Sequence, residues 1–465
     1  MQRCISVLRI IMLGLFVFTS ISSVALAADG ATHSKSTVHE FTLKNGLKLL
    51  VKEDHRAPVV VSQIWYKVGS SYEHNGTTGV SHVLEHMMFK GTKKHGPGEF
   101  SKIIAENGGR ENAFTGRDYT AYFQQLEKSR LPISFELEAD RMRNLTLPPA
   151  QFKKELAVVI EERRMRTEDK PDALVYEKFN AAAWVSSPYH QPIIGWMNDL
   201  HNLKVEDLRP WYARWYAPNN ATLVVAGDVK ADDVLTLAKK YFADIPRSVL
   251  QPVKPRIEAP QKGPRRITVR VPAKLPYLLM GYKVPVLKTA QKEWEPYALE
   301  VLAGIISGGN SARFPKELVR KQQIAVSASA GYNLYARQAE VFLLDATPAA
   351  GHSVAEVEKA ILKQLQRLKD KPVTAQELAR IKAQVVAGKV YEKDSLFYQA
   401  MQMGTLETVG LGWQRMDEYA DKVRAITAEQ VQQVAKKYLQ ENSLTVAVLE
   451  PQALSRTAPV PTHSH

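Results

Sequence analysis

The chain has 465 residues, of which 45% are hydrophobic, and its formal net charge is +14. This length and apolar content are enough for two ordinary domains with complete cores. Lys and Arg are spread beside many Asp and Glu, and no nucleic-acid-binding motif accompanies them, so we expect a solvated basic surface and no nucleic-acid partner.

The first 27 residues have the three parts of a secretory leader. Arg3 and Arg9 supply the positive start, residues 10–18 the apolar core, and residues 25–27 a small-residue cleavage site. An uncleaved membrane anchor is the alternative, although the apolar core is short for a membrane span. We therefore expect a signal peptide over residues 1–27 and a periplasmic or secreted protein.

The remainder of the chain has neither disulfide nor membrane-spanning signals. Cys4 is the only cysteine and lies within the leader, so the mature protein would contain no disulfide. No later segment offers 18 consecutive apolar residues, and we expect no stable membrane insertion of the mature chain.

The most informative segment is His82-Val-Leu-Glu85-His86. On a helix, two histidines four residues apart project from the same face, about one turn apart. Neutral imidazoles in this arrangement can fill two of the four tetrahedral positions around Zn²⁺. Glu85 would lie beside the metal, where a carboxylate can take a proton from a bound water. The order H-x-x-E-H is that of the inverted zincins, and a chance coincidence on a helix is the alternative.

A third metal ligand is available in residues 151–166, whose apolar spacing predicts a helix with one buried side. Glu155 and Glu162 are seven residues apart, so they nearly superimpose on one helix face. Glu161 is rotated by about 100° and is the weaker candidate. We assign Glu162 as the third ligand and Glu155 as a residue that orients a histidine or the site edge. An ordinary charged helix face is the alternative.

The two halves of the chain end in the same pattern. Residues 203–226 and 426–448 each contain a capped helix, an aromatic residue and a buried strand, about 222 residues apart. A divergent duplication explains this repetition, and two unrelated α/β ends are the alternative. Between the halves, a proline-rich segment without helical period indicates a linker.

These patterns predict an α+β protein with two homologous α/β-sandwich domains, each an antiparallel-rich sheet with helices on one face. The zinc-binding domain would cover residues 35–246, the linker 247–264 and the C-terminal domain 265–455. Residues 456–465 would form a disordered tail. The second domain lacks H-x-x-E-H and would not be catalytic.

With Glu162 placed 76 residues after His86, the chain resembles the pitrilysin family of zinc peptidases, which includes insulin-degrading enzyme and the mitochondrial processing peptidase. Residues 41–51, 108–122 and 215–228 are similar to its first strand and turn, its substrate-edge strand and the strand that closes its first domain. The resemblance implies that the two domains form half of a clam-shell peptidase chamber.

The resemblance also implies a mechanism. Zn²⁺ would polarise a water and the scissile carbonyl, and Glu85 would take the proton from the water and pass it to the leaving amine. The strand around Asn112 and Ala113 would bind the substrate as an added β-strand, which accepts varied sequences provided that they are extended. A turn residue is the alternative for Asn112.

One part of the family site is missing. The family commonly supplies an arginine and a tyrosine, seven residues apart, from the second domain. Here these two positions hold Val319 and Val326, and a register shifted by one gives Arg320 and Ser327. The resemblance therefore implies the zinc-bearing member of a heterodimer, with a homologous subunit supplying the pair. A weak homodimer in which Tyr332 replaces the missing residue is the alternative.

We therefore predict a zinc metalloendopeptidase for extended peptides or unfolded segments. A catalytically weak zinc-containing binding or assembly subunit of an envelope complex is the second hypothesis. A basic envelope-binding protein with incidental histidines is the third.

Overall fold

The computed structural model describes residues 38–392 and 394–453. The predicted leader and tail lie outside these residues. In the first half, the strands are β1 (Val38–Thr42), β2 (Lys48–Glu53), β3 (Val59–Tyr66), β4 (Arg110–Thr115), β5 (Thr120–Glu127) and β6 (Ala221–Gly227). The helices of this half are α1 (Val80–Met87), α2 (Glu99–Glu106), α3 (Leu131–Arg143), α4 (Pro149–Arg163), α5 (Pro171–Ala183), α6 (Met197–Asn202), α7 (Val205–Trp215) and α8 (Ala231–Phe242).

The second half follows a segment, residues 243–264, without helix or strand. Its strands are β7 (Arg265–Pro272), β8 (Tyr277–Val284), β9 (Ala325–Gly331), β10 (Glu340–Pro348) and β11 (Leu444–Gln452). Its helices are α9 (Trp294–Ser307), α10 (Val354–Asp370), α11 (Ala375–Glu392), α12 (Leu396–Val409), α13 (Arg415–Ala425) and α14 (Ala428–Tyr438). No helix within the described ranges is long and apolar enough to cross a membrane.

The two sheets share one topology. The first has the order β1-β2-β6-β3-β5-β4 and the second β7-β11-β8-β10-β9. Without β1, both orders place the first strand of the half beside the last, and this pair is parallel in each sheet. The other neighbours are antiparallel. The common order favours duplication over two unrelated ends, and the prediction of two antiparallel-rich α/β domains is confirmed.

One face of each sheet packs against the helices of its own half, and alternate strand residues point to that face. The opposite face packs against a helix from the other half. Phe179 of α5 contacts the second sheet beside Leu279, and Met403 of α12 packs with Trp65 of the first sheet. Each sheet therefore has the helices of its own half on one face, and the opposite face is covered by one helix of the other half, which the sequence did not predict.

Glycines allow these exchanged contacts to be close. A Cβ atom on Gly404 of α12 would lie 2.1 Å from Cε2 of Trp65. A Cβ atom on Gly281 of β8 would lie 2.6 Å from Cζ of Phe179 in α5. Both separations are far inside van der Waals contact, so the helix–sheet packing requires residues without side chains at these positions.

Candidate metal centre

Helix α1 carries the H-x-x-E-H segment and begins in a strongly constrained way. Gly79 precedes it with φ of 89°, a left-handed conformation that favours glycine. The Glu73 carboxylate accepts hydrogen bonds from the backbone N–H of Gly79 (2.8 Å) and of Ser81 (2.9 Å). These bonds satisfy free donors at the helix start. Burial raises the pKa of Glu73 to about 7.

The three predicted ligands converge at the exposed side of α1. Nε2 of His82 lies 3.7 Å from Oε2 of Glu162, and Nε2 of His86 lies 3.4 Å from the same oxygen. All three donor atoms are within 4.8 Å of one another. A tetrahedral Zn²⁺ with bonds of about 2.0–2.2 Å separates its ligand atoms by about 3.3–3.6 Å. Donor chemistry and spacing therefore fit zinc.

The electrostatic surroundings of the histidines favour a bound cation. Burial and the neighbouring His86 hold the pKa of His82 well below its ordinary value. Burial also opposes protonation of His86, but contacts with Glu162 and Glu85 outweigh it and raise the pKa of His86. His82 is therefore ready to bind as a neutral ligand, and His86 lies among carboxylates that attract positive charge.

Helix α4 positions Glu162 through its buried last residue. Arg163 is 3% exposed, and it donates to Glu177 of α5 (2.7 Å) and to the carbonyl of Gly195 (2.9 Å). The helix then continues as a π-helical turn, Arg164–Glu168, an irregularity that is frequent at functional sites. Glu161 points away, with a side chain 59% exposed and paired with Arg164.

Glu155 lies behind the histidines, as its spacing from Glu162 predicted. Its Oε2 is 3.4 Å from Nδ1 of His86, and its Oε1 is 2.8 Å from Nζ of Lys90. A carboxylate on the far nitrogen fixes the ring and leaves Nε2 directed at the other two donors. Nδ1 of His82, in contrast, is buried without a hydrogen-bond partner in the described part of the chain.

Glu85 is the buried carboxylate next to these donors. It is 8% exposed, and its Oε2 accepts a hydrogen bond from the hydroxyl of Thr115 at the end of β4. Burial raises the pKa of Glu85, and the Thr115 contact acts in the opposite direction. Glu85 is thus held toward the cleft in one orientation by a residue of the adjacent strand.

Asn112 and Ala113 lie on β4, the outermost strand of the first sheet. Among the described strands it pairs only with β5, so its other edge is open within the described residues. The Ala113 N–H donates to Oδ1 of Asn112 (2.8 Å). Both residues face a cleft of about 960 Å³ that also contains the metal ligands and Glu85. An extended peptide could pair with this edge.

The second half forms part of the cleft wall and holds the turn that follows β4. Arg117 pairs with Glu340 (3.0 Å). Asp118 is 4% exposed and accepts from Nε of Arg337 (3.0 Å) and from Oγ of Ser71 (2.8 Å). Consecutive turn residues are therefore fixed by ion pairs to one short segment of the second half.

The positions of the missing family pair do not reach this cleft. Val319 lies on a π-helical turn, and Val326 is 59% exposed on β9. The hydroxyl of Tyr332 donates to the Pro285 carbonyl (2.6 Å), and Tyr332 does not line the cleft. The hydroxyl of Tyr332 is thus engaged inside its own domain, and the alternative of a weak homodimer in which Tyr332 replaces the missing residue stays a prediction.

Sequence reasoning missed three neighbours of the site, namely Thr115, Lys90 and Arg166. Arg166 pairs with Oε1 of Glu162 at 2.6 Å. Its spacing of four residues from Glu162 was a usable signal, since such pairs face each other on a helix. Thr115 and Lys90 had no comparable signal, because their contacts depend on how separate elements pack.

Comparisons with known proteins agree with this geometry. Residues 48–196 match the family described as "Insulinase (Peptidase family M16)", and residues 202–385 match "Peptidase M16 inactive domain". "Zinc protease PqqE" of Helicobacter pylori is 32% identical over 445 residues, which cover 93% of this chain and 98% of that protein.

Solved structures show the same fold. A protease from Helicobacter pylori superposes with a TM-score of 0.85 at 31% identity, covering 90% of this chain and all of that one. The periplasmic protease PqqL from Escherichia coli gives 0.76 at 17% identity, and the match covers 90% of this chain but 49% of PqqL. The resemblance drawn from the zinc motif is thus confirmed, and the chain belongs to peptidase family M16.

Proposed function

We propose that the chain is a zinc metalloendopeptidase that hydrolyses extended peptides or unfolded protein segments. The observation that carries this proposal is the convergence of His82, His86 and Glu162 beside the buried Glu85, at the open edge of β4. Membership of M16 and the name of its H. pylori relative support the same activity.

Each residue of the site would have a separate role. His82, His86 and Glu162 would hold Zn²⁺, which supplies Lewis acidity toward water and carbonyl oxygen when bound. The β4 edge binds the peptide backbone. Glu85 takes a proton from the attacking water as the new C–O bond forms. It returns this proton to the nitrogen as the C–N bond breaks.

Three variants of the proposed ligands and one variant of the proposed base test this assignment. His82→Gln, His86→Gln and Glu162→Gln should lose stoichiometric zinc, measured by elemental analysis, because each removes one protein ligand. Glu85→Gln should retain zinc and lose hydrolysis of an unfolded peptide. Glu161→Gln is the matched control, since this neighbouring carboxylate is exposed, and it should change neither quantity. Retention of full hydrolysis by Glu85→Gln would refute the proposed function.

A homologous partner subunit is the second part of the proposal. Val319 and Val326 offer no side-chain donors, so the arginine and tyrosine would come from another chain of the same fold. The match to about half of PqqL fits two such units acting together. Adding the partner should increase peptide hydrolysis and give a heterodimer on size exclusion. Full activity of the isolated chain, unchanged by the partner, would instead show that it needs no second subunit.

We further propose a periplasmic or secreted location, on the basis of the leader-like first 27 residues. Mass spectrometry of the protein from its native host should find a mature chain that begins after Ala27. A full-length chain in the cytoplasmic fraction would contradict this location.

A further inference from the structure

Arg166 is a second charged group beside the metal ligands. Its guanidinium is 2.6 Å from Oε1 of Glu162, the oxygen that does not face the histidines. Its side chain is nevertheless 72% exposed and lines the cleft. Within the described residues, Glu162 is its only hydrogen-bonding or ion-pair partner. Most of its five N–H donors therefore remain available to a ligand.

Independent features place this guanidinium near the reacting groups. Arg166 lines the same cleft as His82 and Glu85, and it contacts the carboxylate that the two histidines face. The backbone there is fixed, because buried Arg163 anchors the end of α4 to Glu177. Arg166 is thus an exposed side chain on an immobilised turn.

The neighbouring Arg164 resembles Arg166 in exposure and ion pairing but does not line the cleft. It is also exposed and also pairs with a glutamate on α4, but its partner is Glu161, and neither residue lines the cleft. Two arginines on the same π-helical turn therefore have similar exposure and similar ion pairs, and only Arg166 faces the metal centre. If Arg166 acts in catalysis, its replacement should lower activity and the replacement of Arg164 should not. If both residues only stabilise the helix, the two replacements should have similar effects.

We propose that Arg166 donates hydrogen bonds to the carbonyl oxygen of the substrate at the bond that is cleaved. This inference rests on the proposed function and deepens it. Negative charge develops on that oxygen as water adds, and a positioned guanidinium stabilises it more than the neutral ground state. Arg166 would then supply, within the zinc-bearing chain, a cationic donor of the type absent at Val319.

The competing explanation is that Arg166 only holds Glu162 for the metal. Zinc affinity separates the two roles, because a residue that acts only through Glu162 would change metal binding and activity together. The experiment therefore compares Arg166→Gln, Arg166→Lys and the matched control Arg164→Gln. For each variant, kcat and KM for an unfolded peptide are measured beside the zinc dissociation constant from chelator competition.

We expect Arg166→Gln to lower kcat by about 10²–10³, the usual cost of removing one oxyanion donor, with KM and zinc affinity within a factor of about three of the parent. Arg166→Lys should recover part of kcat because it keeps the charge without the planar fork. Arg164→Gln should match the parent chain. Equal kcat for Arg166→Gln and Arg164→Gln would overturn the inference, and so would a parallel loss of zinc affinity and activity.

These outcomes are separable from failure of the proposed function. If Glu85→Gln is inactive and Arg166→Gln is fully active, the peptidase assignment stands and Arg166 is not a catalytic residue. If Glu85→Gln retains hydrolysis, the proposed function falls whatever Arg166 does. Binding of a fluorescent unfolded peptide to the Glu85→Gln protein adds a readout that does not depend on turnover. Arg166→Gln in that background should change its dissociation constant little.

Discussion

The two halves of the chain have the same strand order but differ in the residues of one equivalent helix. In the first half, α1 lies between the second and third of the shared strands and directs His82, Glu85 and His86 toward the cleft. In the second half, α9 takes this place in the strand order, but most of its residues are apolar and buried and it contains no histidine. A common fold therefore fixes where a site can form, and a few side chains decide whether it does.

The second half nevertheless contributes to the site through its contacts with the β4–β5 turn. Glu340 binds Arg117, and Arg337 binds Asp118. The turn joins the strand proposed to bind substrate to its neighbour, so the domain without the proposed metal ligands constrains the domain that has them. The comparison between the halves can be tested at this contact, at Glu85, at the exchanged helices and at a sheet edge.

The largest effect should come from the contact with the turn. Glu340→Ala leaves the Arg117 guanidinium in a largely buried place without its carboxylate, and we expect a loss of about 3 kcal/mol in the free energy of unfolding. KM for an unfolded peptide should rise because β4 loses its fixed turn. Urea unfolding and steady-state kinetics measure the two quantities.

Glu377→Ala is the control for this variant. Glu377 pairs with Arg313 at a similar exposure, but both residues lie in the second half away from the cleft. This variant should lose stability without a change in KM. An equal rise of KM in both variants would mean that the turn contact has no special influence on the substrate strand.

Thr115→Val tests the contact of β4 with Glu85, the proposed base. The substitution keeps the shape of the side chain and removes the hydroxyl that donates to Glu85. A hydrogen bond to a charged group is worth about 1.5–3 kcal/mol, so kcat should fall by about 10- to 100-fold with zinc content unchanged. Thr115→Ser, which retains the hydroxyl, should keep most of the activity. Full activity of the valine variant would show that Glu85 needs no such support.

Substitutions at two glycines test the packing of α5 and α12 against the sheets of the opposite halves. Gly404→Ala inserts a methyl group against the ring of Trp65, and Gly281→Ala inserts one against Phe179 and Val341. Overpacking of this kind costs about 1–3 kcal/mol, and Gly404 recovers about 1 kcal/mol because alanine favours a helix. Both should lower the midpoint of urea unfolding. Unchanged midpoints would contradict close contact between each sheet and the helix that packs on it from the other half.

The smallest effect should come from Arg270→Gln on the edge strand β7. Arg270 pairs with Glu450 of β11 at 2.8 Å, but their side chains are 64% and 52% exposed. Exposed pairs contribute about 0–1 kcal/mol, so the unfolding midpoint should barely move and kinetics should stay unchanged. A large loss would indicate that this edge has a role that its exposure does not suggest.

Much of the metal centre followed from helical periodicity. His82 and His86 share a face at a spacing of four, and Glu155 and Glu162 share one at a spacing of seven, so the sequence predicted which side chains point together. The structure brings the donor atoms of His82, His86 and Glu162 together and places Glu155 against the far nitrogen of His86. The contact between Thr115 and Glu85 could not be deduced from the sequence in this way, because it depends on the packing of a strand against a helix.

The exchange of helices was the main feature missed, although a signal existed. Strand β3 (VVVSQIWY) is buried on both faces after its first residue, and a nearly continuous apolar run is typical of a strand covered on two sides. Helices α5 and α12 are only weakly amphipathic, and no local pattern states which sheet they cover. That choice depends on long-range packing, which a local pattern does not encode.

The reciprocal placement of α5 and α12 determines what a truncated chain would lose. A gene truncated at the linker would encode a first half that lacks the helix covering one face of its sheet, while its own α5 would lose the sheet on which it packs. Neither fragment could bury its apolar surface alone. Deletion of the second half would therefore remove part of the interior of the first, although the second half contains no H-x-x-E-H segment. The first half depends on the second for the burial of one face of its sheet.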